Sequence, residues 1–264
     1  AKKIKEHSLF GIEFDREIFA LACANMMIHK DGKTNLEQLD SRDKEASEWI
    51  KSKGITKVLM NPPFERKYGC KKIVENVLNS VPSGIKCAFI MPEKKMEKDK
   101  MGKLLEKHHL EAIIKLPEKL FDAGVTTSIY VFETGKKQVG EIYGCYIEDD
   151  GLERVKNQGR QDIKDKWMEL ENYWVDSIRK RNDTKYGTSQ WIDPKKFLSY
   201  QKPKAEFVLY EEDFVKTMMN YLMFKNKIDV KEFSDKLINK TLYNSEILKE
   251  DNNIVIKIKD AEDE

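Results

Sequence analysis

The sequence predicts an α/β fold built on a mostly parallel sheet. In the first half of the chain, short apolar runs alternate with stretches of helical periodicity, which is typical of βαβ units. The run at 88–91 is continuously apolar, as expected for a strand whose sheet is covered on both faces. After about residue 140 this alternation gives way to polar loops and longer helical stretches. We therefore expect an α/β domain at 1–140 and a mostly helical extension at 141–264.

Each element has its own local signal. Strands are predicted where apolar, β-branched and aromatic residues cluster between turn residues, at 8–14, 34–39, 55–60, 86–92, 110–117 and 126–134. Helices are predicted where apolar residues recur at spacings of three and four, at 15–29, 70–81, 100–108, 162–181 and 210–227. Asp15 is a suitable N-cap for the first of these helices.

The helix predicted at 162–181 carries one apolar stripe, formed by Ile163, Trp167, Leu170, Trp174 and Ile178. Such a stripe either packs against the core of its own domain or binds a partner. The first interpretation is favoured, and the second stays open.

Composition narrows the class of protein. The chain has 264 residues, of which 36% are charged and 40% hydrophobic, as in a globular protein. Its 48 basic and 46 acidic residues almost balance, so the clear basic excess of many autonomous DNA binders is missing. No run approaches the roughly 20 apolar residues that cross a membrane, and no signal peptide is apparent. The four cysteines form no CxxC pair, so we expect reduced, buried thiols in a cytoplasmic protein.

The stretch Asn61-Pro62-Pro63-Phe64 follows a predicted apolar strand and has a distinct chemistry. Proline has no N–H for a strand ladder, so two prolines end the strand and stiffen the turn. The side-chain oxygen of Asn61 and the carbonyl of Pro62 would be two fixed acceptors beside the ring of Phe64. Two acceptors and an aromatic face suit an aromatic amine, such as the exocyclic nitrogen of adenine. A plain strand followed by a proline turn is the less favoured alternative.

These four residues resemble the [DNS]PP[YFW] motif of N6-adenine DNA methyltransferases. The resemblance extends to "FGIEFDREIFALACANMMIHKDG", "LEQLDS", "SGIKCAFIMP" and "IIKLPEKLFDAGVTTSIYVFETG", in that order. Together these segments are similar to the modification subunit of type I restriction-modification systems over about residues 8 to 135. The resemblance implies a Rossmann-like sheet and methyl transfer from S-adenosylmethionine to N6 of a flipped-out adenine in DNA. Residues 1–140 would then be the catalytic domain.

The resemblance also implies roles for single residues. Glu13 would bind the ribose hydroxyls of the cofactor, with Asp15 as a competing candidate, and Asp40 would accept from the cofactor's adenine amino group. Asn61 and Pro62 would hold the target nitrogen, and Phe64 would stack on the target base.

Further residues of the target-base pocket would be Pro63 and Phe121, together with the stretch 126–128. No metal site is expected, because His7, His29, His108 and His109 show no metal-binding spacing.

The sequence departs from this family in one respect. The family carries a glycine-rich loop after its first strand, and this chain contains no GxG. We therefore expect a partial sheet without the first strand, an unfilled slot between two strands, and a chain that is a C-terminal fragment with weak or no cofactor binding. DNA, a specificity subunit and a nuclease subunit are the implied partners. The helices near 160–182 and 211–226 are candidate subunit contacts.

Two alternative functions remain at this point. A protein-glutamine or RNA methyltransferase can use the same acceptor geometry. A degenerate methyltransferase kept for assembly is the other alternative, although the intact Asn61 and Phe64 argue against decay.

Overall fold

The computed structural model describes residues 8–30, 35–64, 69–96, 98–118, 120–121, 125–202, 209–243, 245–250 and 253–258. They belong to two compact units, Ala1–Pro203 and Lys204–Glu264. Within the described ranges, no helix combines the length and the apolar character needed to cross a membrane.

Two sheets dominate the first unit. The strands β1 (Gly11–Glu13) and β2 (Leu36–Gln38) form a small parallel pair. The main sheet has the strand order β10-β7-β5-β6-β4-β3. Its strands are β3 (Lys57–Met60), β4 (Lys86–Pro92), β5 (His109–Lys115), β6 (Thr127–Glu133), β7 (Ile142–Tyr146) and β10 (Gln190–Ile192). Strands β3, β4, β5 and β7 run in one direction and β6 and β10 in the other, so the sheet is mixed. A short antiparallel hairpin of β8 (Glu153–Val155) and β9 (Gly159–Gln161) follows β7.

The helices of the first unit are α1 (Arg16–Ile28), α2 (Lys44–Ser52), α3 (Cys70–Ser80), α4 (Lys98–Leu105) and α5 (Trp167–Lys180). The predicted cap of α1 is confirmed, because the Asp15 carboxylate accepts from the N–H groups of Glu17 at 2.9 Å and Ile18 at 3.0 Å. Helix α2 was not predicted, although Ala46, Trp49 and Ile50 have helical spacing after Asp43. A four-residue 3₁₀ helix follows β4 at Glu93–Met96.

The main core lies between one face of the main sheet and helices α2, α3 and α4. Phe89 of β4 and Phe132 of β6 are fully buried there, with ring centroids 6.2 Å apart. Helix α3 contributes Val74 and Leu78 to the same core. The alternation of buried and half-buried residues along β4 and β6 reflects the period of two in a strand.

Helix α5 covers part of the opposite face of the main sheet. Its Leu170 and Trp174 pack with Tyr143 and Cys145 of β7, and the Trp174 indole donates to the carbonyl of Asp149 at 2.7 Å. The favoured interpretation of the apolar stripe is thus confirmed for this part of the helix. Its other end differs from the prediction, because Ile163 precedes the helix and is 58% exposed.

The β3–β4–β6 part of that same face is open. Leu59 of β3 is 86% exposed. It lines a groove of about 340 Å³ with Asn61, Ala88, Ile90 and Ile129. Among the described residues, the main sheet is therefore covered on both faces near β7 and on one face near β3.

A gap separates the small sheet from the main sheet. Strands β1 and β2 pair with each other and with no other strand among the described residues, and β3 is the edge strand of the main sheet. A cavity of about 310 Å³ lies here, lined by Gly11 and Ile12 of β1, by residues of β3 and by Asn61. The sequence-based expectation of a slot between these two strands matches this arrangement.

The second unit contains helices α6 (Glu211–Lys225) and α7 (Val230–Tyr243) and the antiparallel hairpin β11 (Ser245–Glu250) and β12 (Asn253–Ile258). Asp213 accepts from the N–H of Tyr210 at 3.1 Å and helps to begin α6. The division into a catalytic domain at 1–140 and an extension at 141–264 stays a prediction. The strands β7 and β10, which follow that position, belong to the main sheet.

Candidate active site

The carboxyl ends of the parallel strands meet at one edge of the main sheet. Strands β3, β4 and β5 end there at Met60, Pro92 and Lys115, and the reversed strand β6 begins there at Thr127. In open α/β sheets this edge is where ligands bind. The stretch Asn61-Pro62-Pro63-Phe64 follows β3 directly, so the fold brings it to this edge.

The four residues of this stretch have different environments. Asn61 and Pro63 are exposed, Pro62 is buried and Phe64 is half-buried. No helix or strand is assigned to them, as expected for two consecutive prolines. The amide of Asn61 is thus free to meet a ligand, while the buried Pro62 holds the turn in place.

Phe121 lies against Phe64, although 57 positions separate them in the chain. Their ring centroids are 5.2 Å apart and their planes meet at 82°. This edge-to-face geometry is one of the two favoured arrangements for a pair of aromatic rings. The two aromatic residues assigned to the target-base pocket are therefore neighbours.

A hydrogen bond between Ser128 and Glu93 at this edge was not predicted from the sequence. The hydroxyl of Ser128 on β6 donates to the carboxylate of Glu93 at 3.0 Å. The N–H of Glu93 donates to the carbonyl of Thr126 at 3.2 Å. These bonds fix the start of β6 beside the end of β4. Glu93 could have been noticed in the sequence, because it follows a strand that ends at Pro92.

Glu13 lies at the carboxyl end of β1. Its Oε1 atom accepts from the N–H of Asp15 at 2.8 Å, which leaves Oε2 available to a ligand. Asp15 is occupied as the cap of α1. Of these two carboxylates, Glu13 is therefore the better placed to bind a ribose.

Asp40 follows β2 and is bound by Arg42. The Arg42 Nε atom donates to both carboxylate oxygens, at 2.8 and 3.0 Å, and the N–H of Arg42 donates to Oδ1 at 2.9 Å. The side-chain hydrogen bonds from Arg42 hold the pKa of Asp40 below its ordinary value. A ligand amino group would have to share Asp40 with this guanidinium. In the sequence, an aspartate followed two positions later by an arginine could have indicated this ion pair.

Arg42 also connects Asp40 to an aromatic ring. Its guanidinium carbon lies 6.0 Å from the ring centroid of Phe14, which is 57% exposed. Because β1 and β2 are parallel neighbours, Glu13, Phe14 and Asp40 lie at the same end of the small sheet. This end carries the kinds of groups that bind a nucleoside, namely carboxylates for hydroxyl and amino groups and an aromatic face.

The buried cysteines of the main core, Cys70 and Cys87, do not act as nucleophiles at this site. All four are free; Cys70, Cys87 and Cys145 are buried and Cys23 is half-buried. Burial raises the pKa of Cys70 to about 11 and that of Cys87 to about 12. These two thiols therefore stay protonated at neutral pH, as expected for structural cysteines.

The sequence profile of the N-6 DNA methylase family matches residues 1–83 and 83–193. The chain belongs to the N-6 DNA methylase family. A curated relative in Heyndrickxia coagulans, the type II restriction enzyme and methyltransferase RM.BcgI, is 27% identical over 250 residues. The match covers 85% of this chain and 38% of that protein.

Solved structures of type I restriction-modification proteins share the fold. A type I assembly matches with a TM-score of 0.56 at 19% identity, covering 90% of this chain and 56% of that one. The methyltransferase subunit from Streptococcus thermophilus matches with a TM-score of 0.54 at 15% identity, covering 71% and 45%. The chain thus spans about half or less of the proteins that it matches. The family and the fold class predicted from the sequence are confirmed, whereas the residue assignments stay predictions.

Proposed function

We propose that this chain carries the target-base site of an enzyme that methylates N6 of adenine in DNA. The observation that supports this most directly is the Asn61-Pro62-Pro63-Phe64 stretch at the carboxyl edge of the sheet, with Phe121 beside Phe64, in a member of the N-6 DNA methylase family. The adenine amino group is hidden in a duplex, so the base has to be flipped out of the stack before it can reach this edge.

In this proposal Asn61 and Pro62 prepare the amino group for reaction. The Asn61 side-chain oxygen and the Pro62 carbonyl accept the two hydrogens of N6. Accepting both hydrogens turns the nitrogen lone pair out of conjugation with the ring and makes it nucleophilic. Phe64 and Phe121 hold the ring by aromatic contact, and no strong base is needed beside the motif.

The cofactor proposed for this reaction is S-adenosylmethionine, which supplies an electrophilic methyl group when bound. The residues present fit part of such a ligand. The free Oε2 of Glu13 suits a ribose hydroxyl, and Phe14 offers a ring face nearby. Asp40 fits less simply, because Arg42 already donates to both of its oxygens. The cavity between β1 and β3 is lined by Ile12 and Ser41, the chain neighbours of Glu13 and Asp40, and by Asn61.

The test is methylation by the complete enzyme that contains this chain. Changing Asn61→Ala removes one acceptor at the reacting nitrogen. We expect the rate of N6-methyladenine formation to fall by about 10²- to 10³-fold, as is typical when one group that polarises a reacting atom is lost. Mass spectrometry of digested DNA measures the product.

Two control variants sharpen this test. Asn61→Asp keeps an acceptor oxygen at the same position and should retain more activity than Asn61→Ala. Asn182→Ala, on an exposed loop after α5, should leave the rate unchanged. Undiminished methylation by Asn61→Ala would refute the mechanism. Methyl groups found in RNA or on glutamine instead of DNA would refute the proposed substrate.

Subunit partners are proposed for the second unit. Phe214, Met218 and Tyr221 of α6 are 60%, 58% and 61% exposed and follow the i, i+4, i+7 spacing of one helix face. An apolar helix face of this kind suits another helix. We infer that α6 contacts a second subunit, which in a type I system would be the specificity subunit and in some assemblies a nuclease subunit.

A further inference from the structure

Helix α6 carries a row of residues that is apolar in the middle and oppositely charged at its two ends. The row recurs at alternating spacings of three and four, the pattern of a helix that pairs with another helix, and consists of Glu211, Phe214, Met218, Tyr221 and Lys225. We call this row the α6 seam. Its three middle residues are each more than half exposed. Among the described residues, neither Glu211 nor Lys225 takes part in an ion pair.

Helix α7 lies beside a different side of α6. The groove between the two helices has a volume of about 480 Å³ and is lined by Val215, Met219 and Met223 of α6 and by Val230 and Phe233 of α7. The three middle residues of the seam do not belong to this lining, and α6 has no buried residue. The seam is therefore left without a partner within the second unit.

The seam is complementary to itself in one orientation. When a second α6 runs antiparallel to the first, its Lys225 end lies beside the Glu211 end of the first helix, and the reverse holds at the other end. Met218 is the midpoint of Glu211–Lys225, so the apolar middle of each helix meets the apolar middle of the other. A parallel pair would place two glutamates together at one end and two lysines at the other. Because like charges repel, the seam favours the antiparallel pair, which has two-fold symmetry.

We propose that, before it assembles with other subunits, this chain pairs with a second copy of itself through antiparallel α6 helices. The proposed function assigns the same face to a second subunit, and the inference rests on it in one respect only, namely that the two partners exclude each other. Each α6 offers 15 residues, fewer than the roughly 20–30 residues a side of a stable interface. The self-pairing is therefore weak enough to be displaced, and it covers the apolar face until the second subunit binds.

Sedimentation of the 264-residue chain over a range of concentrations measures the self-pairing. Glu211→Lys and Lys225→Glu each bring like charges together at both ends of the pair, and we expect the dissociation constant to rise about tenfold. A 1:1 mixture of these two variants should pair as tightly as the unchanged chain, because every end then joins opposite charges. Glu171→Lys, the same change on the exposed surface of α5, should have no effect.

A second variant covers the case that a charge reversal disturbs the helix, which circular dichroism detects. Met218→Ala favours helix formation and should weaken the pairing by removing its central contact. A chain that stays monomeric at every concentration, or charge variants that pair no better mixed than apart, would overturn the inference and leave the proposed subunit contact standing. Addition of the specificity subunit should split the pair. A pair that persists in the complex would overturn the mutual exclusion, and with it the proposed position of the second subunit, but not the pairing.

Discussion

At the scale of single residues, Asp183 shows how one buried carboxylate can organise a loop. It lies between α5 and β10 and is 6% exposed. It accepts from the Tyr173 hydroxyl, from the N–H of Tyr186 at 2.9 Å, and from the N–H and hydroxyl of Thr188 at 2.6 and 2.8 Å. Burial by itself raises the pKa of Asp183, but the hydrogen bonds outweigh burial and the pKa is lowered. The loop that carries the edge strand β10 therefore depends on a charged acceptor.

Replacing this acceptor should destabilise the protein. Asp183→Asn puts an NH₂ donor where several donors converge, and we expect a loss of about 2–3 kcal/mol in the free energy of unfolding at pH 7. Urea denaturation measures it. Asp176→Asn is the matched control, because Asp176 is exposed and pairs with Lys180 on the helix surface at 2.7 Å; there we expect less than about 0.5 kcal/mol.

The same carboxylate predicts a dependence on pH. Because the folded-state pKa is below the unfolded value of about 3.9, the ionised form stabilises the fold fully above that value. The contribution disappears as the pH falls through the folded-state pKa. The unchanged protein and Asp183→Asn should therefore converge in stability under acid. A difference in stability that stays constant from neutral pH to acid would contradict this account.

At the scale of elements, two helices that were both predicted from apolar periodicity have different surroundings. Helix α5 buries Leu170 and Trp174 against β7, whereas α6 has no buried residue. Apolar periodicity predicted both helices, and an apolar stripe was identified from the sequence on α5. A helix buries its apolar face within the chain when a strand packs against that face, as β7 does against α5.

This difference predicts opposite effects of substitution. Met218→Asp on the exposed face of α6 should abolish binding of the second subunit in co-purification and leave the melting temperature unchanged. Asn220→Asp adds the same charge two residues further, on the opposite side of the helix, and should retain binding. Trp174→Ala on α5 should instead cost about 3–5 kcal/mol of stability. Subunit binding by Met218→Asp as strong as by the unchanged protein would refute the proposed contact.

At the scale of the whole molecule, the first unit contains a strong sheet and a weak one. Strands β4 and β6 pair over seven residues each and are largely buried. Strands β1 and β2 pair over three residues, and none of these residues is buried. A two-stranded sheet is marginally stable without further packing. The acid that we propose for ribose binding, Glu13, thus belongs to the less stable part.

Hydrogen exchange should reveal this difference. We expect the amides of β1 and β2 to exchange orders of magnitude faster than those of β4 and β6, because short pairings at the surface open locally without global unfolding. Mass spectrometry of one peptide from each sheet, covering β1 at 9–14 and β4 at 84–92, compares the two sheets in one experiment. Equal protection of the two peptides would show that the small sheet is held as firmly as the core.

The position of several candidate-site residues at strand ends could be predicted from the sequence because it is local. The residues that follow β3 are adjacent in the chain, and their chemistry depends on residue type and order: two prolines end the strand, and an amide precedes them. The acid at the end of β1 and the cap at Asp15 are local in the same way. Four strands of the main sheet, β3, β4, β5 and β6, were also recognisable from their β-branched and aromatic residues.

By itself, then, the sequence determined the family, the α/β class and the motif of the candidate site. The tertiary structure decided which distant residues meet there. The contact of Phe64 with Phe121 and the bond from Ser128 to Glu93 both depend on strand order and register. These are set by packing across the whole sheet, since each residue's neighbours on adjacent strands come from remote parts of the chain.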